Sequence, residues 1–184
     1  LLVSVSRRPV FETRDAGRVR VVNFDSLPPR EYERALLASD LFVTDNVMSS
    51  SIGKAASGGV PSLAIINSYT AEELLGGGVP FEVEPAALDR VRSMHRKRPG
   101  SVFPYLSFPF GWVEELRPMF EGNPFSEVFA RVELFDAEAL RGTVGALLAG
   151  GPVRDDLLEK AARYAGLVSA LPGPWELLEF LLSA

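Results

Sequence analysis

The chain has no cysteine. That excludes a disulfide framework, a thiolate metal site and a thiol nucleophile. Its single histidine, His95, excludes a multi-histidine zinc centre and argues against a Ser-His-Asp hydrolase. No apolar run approaches the roughly 18 residues that a spanning helix needs, so no membrane span is expected. No cluster of metal-ligating residues stands out, and no metal or cofactor is expected. Only three of the nineteen basic residues are lysine. With so much Gly, Ala and Pro, this bias reflects a GC-rich, bacterial type of coding genome rather than a function. Acidic residues outnumber basic ones by 24 to 19, for a net charge of -5. Bulk attraction to nucleic acid is therefore not expected.

What is present suits a folded protein. The 184 residues are 47% hydrophobic, enough for one domain with its own core. Apolar runs at Leu1–Val5, Val19–Phe24, Leu41–Thr44 and Ser62–Ile66 read as strands. Helices are expected from Pro28-Pro29 to about Leu37 and over Ser49–Ser57, the second closed by Gly58-Gly59. Strands and helices alternating at these spacings predict an α/β, Rossmann-like, mainly parallel sheet. Only 13 residues separate the first two strands, scarcely room for a parallel crossover with a helix. Residues from about Ser68 to Pro124 break the rhythm and read as an insertion, with a helix at Ala86–Arg96 and the aromatic segment Phe103–Trp112. A strand at Val132–Phe135, an Asp136 N-cap and helices to Ala149, Leu171 and Leu182 follow. The opening Leu1-Leu2-Val3-Ser4-Val5 resembles mid-fold sequence, so a preceding domain is expected.

The chemistry concentrates in Asp40–Ile66. A strand ends at Thr44, a polar turn follows at Asp45-Asn46, and a helix opens with Ser49, Ser50 and Ser51. Backbone N–H groups and hydroxyls at a helix start beyond a parallel strand make an anion site at the ligand-binding edge of an open α/β sheet. Plain N-capping accounts for the same serines. Asn67 and Tyr69, after the next strand, are candidates for base or sugar contacts, with a simple turn as the alternative.

Three stretches carry a resemblance. Ser39-Asp40-Leu41-Phe42-Val43-Thr44 through Gly59-Val60-Pro61-Ser62-Leu63, the upstream Val19-Arg20-Val21-Val22-Asn23-Phe24, and the end around Leu171-Pro172-Gly173-Pro174 resemble the donor-binding half of GT-B glycosyltransferases. The likeness covers about 19–67 and 132–184. It implies a nucleotide-diphosphate sugar of UDP or TDP type as ligand. It also implies diphosphate contacts from Ser49, Ser50, Ser51 and Asn46, with Ser51 best aligned, and from Arg7 in the loop after the first strand. Where the pattern has a ribose-binding glutamate, this chain has Lys54, which cannot accept ribose hydrogen bonds. Lys54 either reaches a phosphate or lies on the helix surface. The implied activity is glycosyl transfer in the cytoplasm, of a kind found in secondary metabolism. UDP-sugar 2-epimerases share the fold, and a non-catalytic binding or scaffold protein is the other alternative. The acceptor half, and with it the catalytic base, is expected on a missing N-terminal domain or partner chain.

Several features have bland readings. The run Arg90, Arg92, Arg96, Lys97, Arg98, with His95 among them, reads as a solvated helix end. Glu114 and Glu115, adjacent in sequence, do not share a helix face and form no glycosidase pair. Phe103–Trp112 supplies either sugar-stacking rings or apolar packing. Phe108, Phe110, Trp112 and Trp175–Leu182 carry more apolar surface than a small domain hides, and are expected to pack on a missing domain or partner.

Overall fold

A computed structural model describes residues 2–5, 14–16, 19–24 and 26–183. The chain divides into two compact units, Leu1–Ser39 and Asp40–Ala184.

The first unit holds β1 (Leu2–Val5), β2 (Arg14–Ala16), β3 (Val19–Phe24) and α1 (Pro29–Leu37). β3 is central, parallel to β1 and antiparallel to β2. The short interval after β1 thus carries a strand, and β1 and β3 are hydrogen-bonded neighbours. Arg14-Asp15-Ala16 lacks apolar alternation, so sequence pattern gave it no strand signal. Pro29 occupies the first position of α1, where a missing N–H costs nothing.

The second unit is an α/β fold. A three-stranded parallel sheet in the order β4 (Phe42–Thr44), β5 (Ser62–Ile66), β6 (Ala130–Glu133) carries, among the described residues, seven α-helices. These are α2 (Ser50–Ser57), α3 (Ala71–Gly76), α4 (Pro85–Lys97), α5 (Val113–Phe120), α6 (Ala137–Ala149), α7 (Pro152–Ser169) and α8 (Pro174–Ser183). Successive strand residues face opposite ways. Ala64 and Ile66 join one apolar cluster with Val47, Ile52, Leu106, Leu116, Phe120 and Phe129. Leu63 and Val132 join the other, with Leu147 and Leu157. Both faces of the sheet are therefore covered, as parallel sheets require.

α2 ends as its glycines predict. Gly59 adopts φ +74°, and the N–H groups of Gly59 and Val60 donate to the carbonyls of Ala56 and Ala55 at 3.2 and 2.8 Å. This is a Schellman closure, and it aims the chain into β5. β6 begins two residues before the expected Val132. The apolar pattern runs on through Leu134 and Phe135, but Asp136 N–H turns back to the Glu133 carbonyl at 3.2 Å and ends the strand.

The expected insertion is the connection from β5 to β6. Sequence reading missed α3, which opens with a capping box: Thr70 Oγ1 accepts the Glu73 N–H at 3.3 Å, and Glu73 Oε2 accepts the Thr70 N–H at 2.7 Å. The Thr70 N–H first, and its hydroxyl second, hold the Glu73 carboxyl below its ordinary value. Thr70→Ala is expected to lower stability by about 1 kcal/mol, read as a shift in the thermal unfolding curve. Among the described residues no helix is long and apolar enough to cross a membrane.

Candidate functional site

The carboxyl ends of three parallel strands set the site. Asp45 and Asn46 follow β4. Asn67, Ser68 and Tyr69 follow β5. Glu133 closes β6, and Asp136 caps α6 just beyond it. The sheet's register aligns Thr44 with Ala64 and Ile66 with Glu133, so these turns lie along one edge.

The aromatic segment runs across this edge as a strap. Tyr105 exchanges two backbone hydrogen bonds with Asn67, at 2.7 and 3.1 Å. Ser107 bridges to Asn46, and the Ser107 hydroxyl donates to Asn46 Oδ1 at 2.9 Å. The same Asn46 oxygen accepts the Met48 N–H at 2.8 Å. Further along, Phe108 N–H donates to the Asp45 carbonyl at 3.0 Å, and Val47 N–H to the Leu106 carbonyl at 3.1 Å. The strap therefore fixes the β4–α2 turn.

Asn67 is the pin. Its side-chain amide donates to the carbonyls of Tyr69 and Phe103, both at 2.7 Å, and its Oδ1 accepts the Tyr69 N–H at 3.2 Å. Asn67 is 2% exposed. These side-chain hydrogen bonds of Asn67, a candidate for either a base or sugar contact or a simple turn, are made within the fold. Tyr69 is half-buried and packs edge-on against Phe81.

The β4–α2 turn is where the sequence places an anion site. Ser49 is the N-cap, its hydroxyl accepting the Ser51 N–H at 3.3 Å. The N–H of Ile52 donates to the Ser49 carbonyl at 2.9 Å. Ser50, the first helical residue, is exposed, and its N–H has no acceptor among the described residues. Ser51 is half-buried one position on, and Lys54 is exposed a turn later. The helix start thus combines the first-turn N–H groups, hydroxyls and the positive end of the dipole.

The β5–β6 end has the opposite character. Ser68 clamps the Glu133 carboxylate, its N–H donating to Oε2 at 2.9 Å and its hydroxyl to Oε1 at 2.6 Å. Tyr105 is buried beside this group. Burial first, then the charges of Asp45 and Glu133, push its phenol up to about 12. The Tyr69 phenol is pushed up as well, by burial, then by Glu133, Glu73 and Asp136. Tyr105 therefore stays protonated while an unfolded chain would release its proton nearer 10. The stabilisation from this difference is complete below that lower value and is lost as pH rises toward the higher one. Tyr105→Phe is expected to remove that part of the alkaline decline, as urea midpoints of both proteins between about pH 9 and 12 would record.

The family of unknown function DUF6365 matches residues 1–184. The chain belongs to this family. No curated protein and no solved structure matches it. In this DUF6365 chain the remaining sequence candidates fall as follows. Arg7 lies outside the described residues. His95 sits on α4 with Nε2 3.6 Å from Glu72 Oε1 on α3. Arg92 pairs with Asp89 at 2.6 Å, and Arg90, Arg96, Lys97 and Arg98 are exposed. Glu114 and Glu115 are exposed in the first turn of α5. Among the described residues no group of three or more acidic or histidine side chains could hold a metal. An open cleft of about 490 Å³ beside the edge is lined by Pro80, Phe81, Glu82, Asp136, Glu138 and Ala139.

Three site residues escaped the sequence reading. Glu133 was hidden by the late start given to β6, which put it inside the strand rather than at its end. Tyr105 and Ser107 lay in a segment with no period to place it. The one usable signal was the pair of asparagines just after β4 and β5, where buried turns need side-chain amides.

Proposed function

We propose that the chain binds a nucleotide-diphosphate sugar at the carboxyl edge of β4–β6 and acts in glycosyl transfer. The observation that carries this reading is the start of α2, where Ser50 is exposed at the first helical position with neighbouring hydroxyls, after a parallel strand. The diphosphate caps α2. Catalysis there is positional, with helix N–H groups and hydroxyls stabilising the leaving diphosphate. The carboxylates of Asp45 and Glu133 are suited to accept hydrogen bonds from sugar hydroxyls. The resemblance to GT-B donor-binding halves supports the same assignment, and Arg7 and Lys54 are its further candidate phosphate contacts.

Lys54 favours a second reading, because the ribose-binding carboxylate of the resembled pattern is replaced. On that reading the site binds a ligand without transferring it. Calorimetric titration with UDP- and TDP-sugars tests the first step, and release of free nucleoside diphosphate tests the second. Saturable binding with release supports transfer. Binding without release supports the second reading. No binding of either sugar nucleotide overturns both.

A further inference from the structure

The strap brings one buried hydroxyl to the sheet edge without a protein partner. Tyr105 is 6% exposed, and its hydroxyl makes no hydrogen bond among the described residues. The unpaired side-chain polar atoms that are sealed from solvent among those residues are His95 Nδ1 and Ser101 Oγ. The Tyr105 hydroxyl is not one of them, so it opens to solvent at the tip of a buried ring. The ring itself is fixed. Phe103 and Phe108 stand edge-on to it, with centroids 6.3 and 5.5 Å away. The Tyr105 backbone is paired on both sides with Asn67, beyond the middle strand of the sheet.

Two carboxylates flank this position, one from each outer strand. Ser68, next to Asn67, holds Glu133 at the end of β6 through its N–H and its hydroxyl. On the other side the N–H of Phe108 is tied to the carbonyl of Asp45, beyond β4. Both charges reach the phenol. Burial first, then Asp45 and Glu133, push it up to about 12, so the hydroxyl keeps its proton at neutral pH. It is an O–H donor within reach of two acceptors and bonded to neither. Ser68 takes one lone pair on each Glu133 oxygen and leaves another on each.

A ligand group that satisfies this arrangement accepts from the phenol and donates to a carboxylate. An alcohol does both through one oxygen. A phosphate only accepts, and the carboxylates repel it. An ammonium only donates, and leaves the phenol proton unused. A methylene in the same place leaves all of these polar groups unpaired, which is the costly outcome in a buried setting.

We propose that Tyr105 and Glu133, with Asp45 opposite, form a subsite that selects a hydroxyl-bearing sugar over a deoxygenated one. The proposal rests on nucleotide-sugar binding at α2 and adds the class of sugar. One sugar hydroxyl accepts from the Tyr105 O–H and donates to the Glu133 carboxylate. Tyr105 is thus a specificity-determining residue, supplied by the strap rather than by the sheet.

The test is isothermal titration of the unmodified protein and of Tyr105→Phe with UDP, UDP-glucose and the monodeoxy analogues of UDP-glucose. The substitution keeps the ring and removes an oxygen that the fold does not use, so the urea midpoint at neutral pH is expected to stay unchanged. UDP is expected to bind both proteins equally. UDP-glucose is expected to bind Tyr105→Phe about three- to tenfold more weakly. One deoxy analogue is expected to bind the unmodified protein more weakly by at least that factor. In Tyr105→Phe its further loss is smaller, because the two changes delete a shared hydrogen bond. Equal affinity of both proteins for UDP-glucose, with UDP still bound, would overturn the subsite and leave the site at α2 standing. So would losses that simply add for every analogue. A lowered urea midpoint would show that the hydroxyl serves the fold, and would also overturn the subsite. If UDP binds neither protein, the proposed function fails and the subsite falls with it.

Discussion

Asn67→Ala is expected to destabilise the protein by about 3–5 kcal/mol. The substitution strips the partners from two carbonyls, those of Tyr69 and Phe103, and from the Tyr69 N–H. A buried polar atom left unpaired costs about 1–3 kcal/mol, and Asn67 is almost fully buried. Asn67→Asp tests the chemistry rather than the volume. A carboxylate keeps the acceptor for Tyr69 but cannot donate to either carbonyl, so the loss is expected to be of similar size. Urea unfolding followed by tryptophan fluorescence measures both. A loss under about 1 kcal/mol for both variants would show that the asparagine is not what holds the strap to β5.

The second large effect concerns α2. Ser51→Ala is expected to weaken sugar-nucleotide binding about ten- to hundredfold, the loss of roughly 1.5–3 kcal/mol from a hydroxyl donor to a charged group. Lys54→Glu separates the two readings of that position. If Lys54 pairs with phosphate, the reversal weakens binding by at least as much as Ser51→Ala. If Lys54 stands where a ribose contact was lost, the glutamate accepts from ribose hydroxyls and strengthens binding. Isothermal titration of the two variants against UDP and a UDP-sugar reads both outcomes.

The sheet edge was legible in the sequence because its signals are local. Leu41–Thr44 and Ser62–Ile66 are short apolar runs bounded by turn residues, and Gly58-Gly59 marks the end of the helix between them. Ser49 as a cap follows from the same local chemistry. The strap was not legible. Asn46 meets Ser107, and Asn67 meets Phe103 and Tyr105, across some 36 to 61 positions of sequence, and no period in Phe103–Trp112 announces those pairings. The role of Asn67 depends on them. Exposure of Phe108, Phe110 and Trp112 agrees with the excess of apolar surface seen in the sequence. Trp175 and Leu182 are likewise exposed, at 77% and 80%. β2 was missed because its polar residues give no alternation, and α3 because six residues offer too short a window for a helical period.

The most direct measurement is amide chemical-shift mapping of the isotopically labelled protein during titration with UDP and a UDP-sugar. Diphosphate at the start of α2 predicts the largest shifts at the amides of Ser50, Ser51 and Ile52, with smaller ones at Asn46 and Val47. The sugar alone is expected to add shifts at Asp45, Ser68 and Glu133. An unchanged α2 turn at saturating ligand, or shifts confined to α4 or α6, would contradict a donor site at this edge.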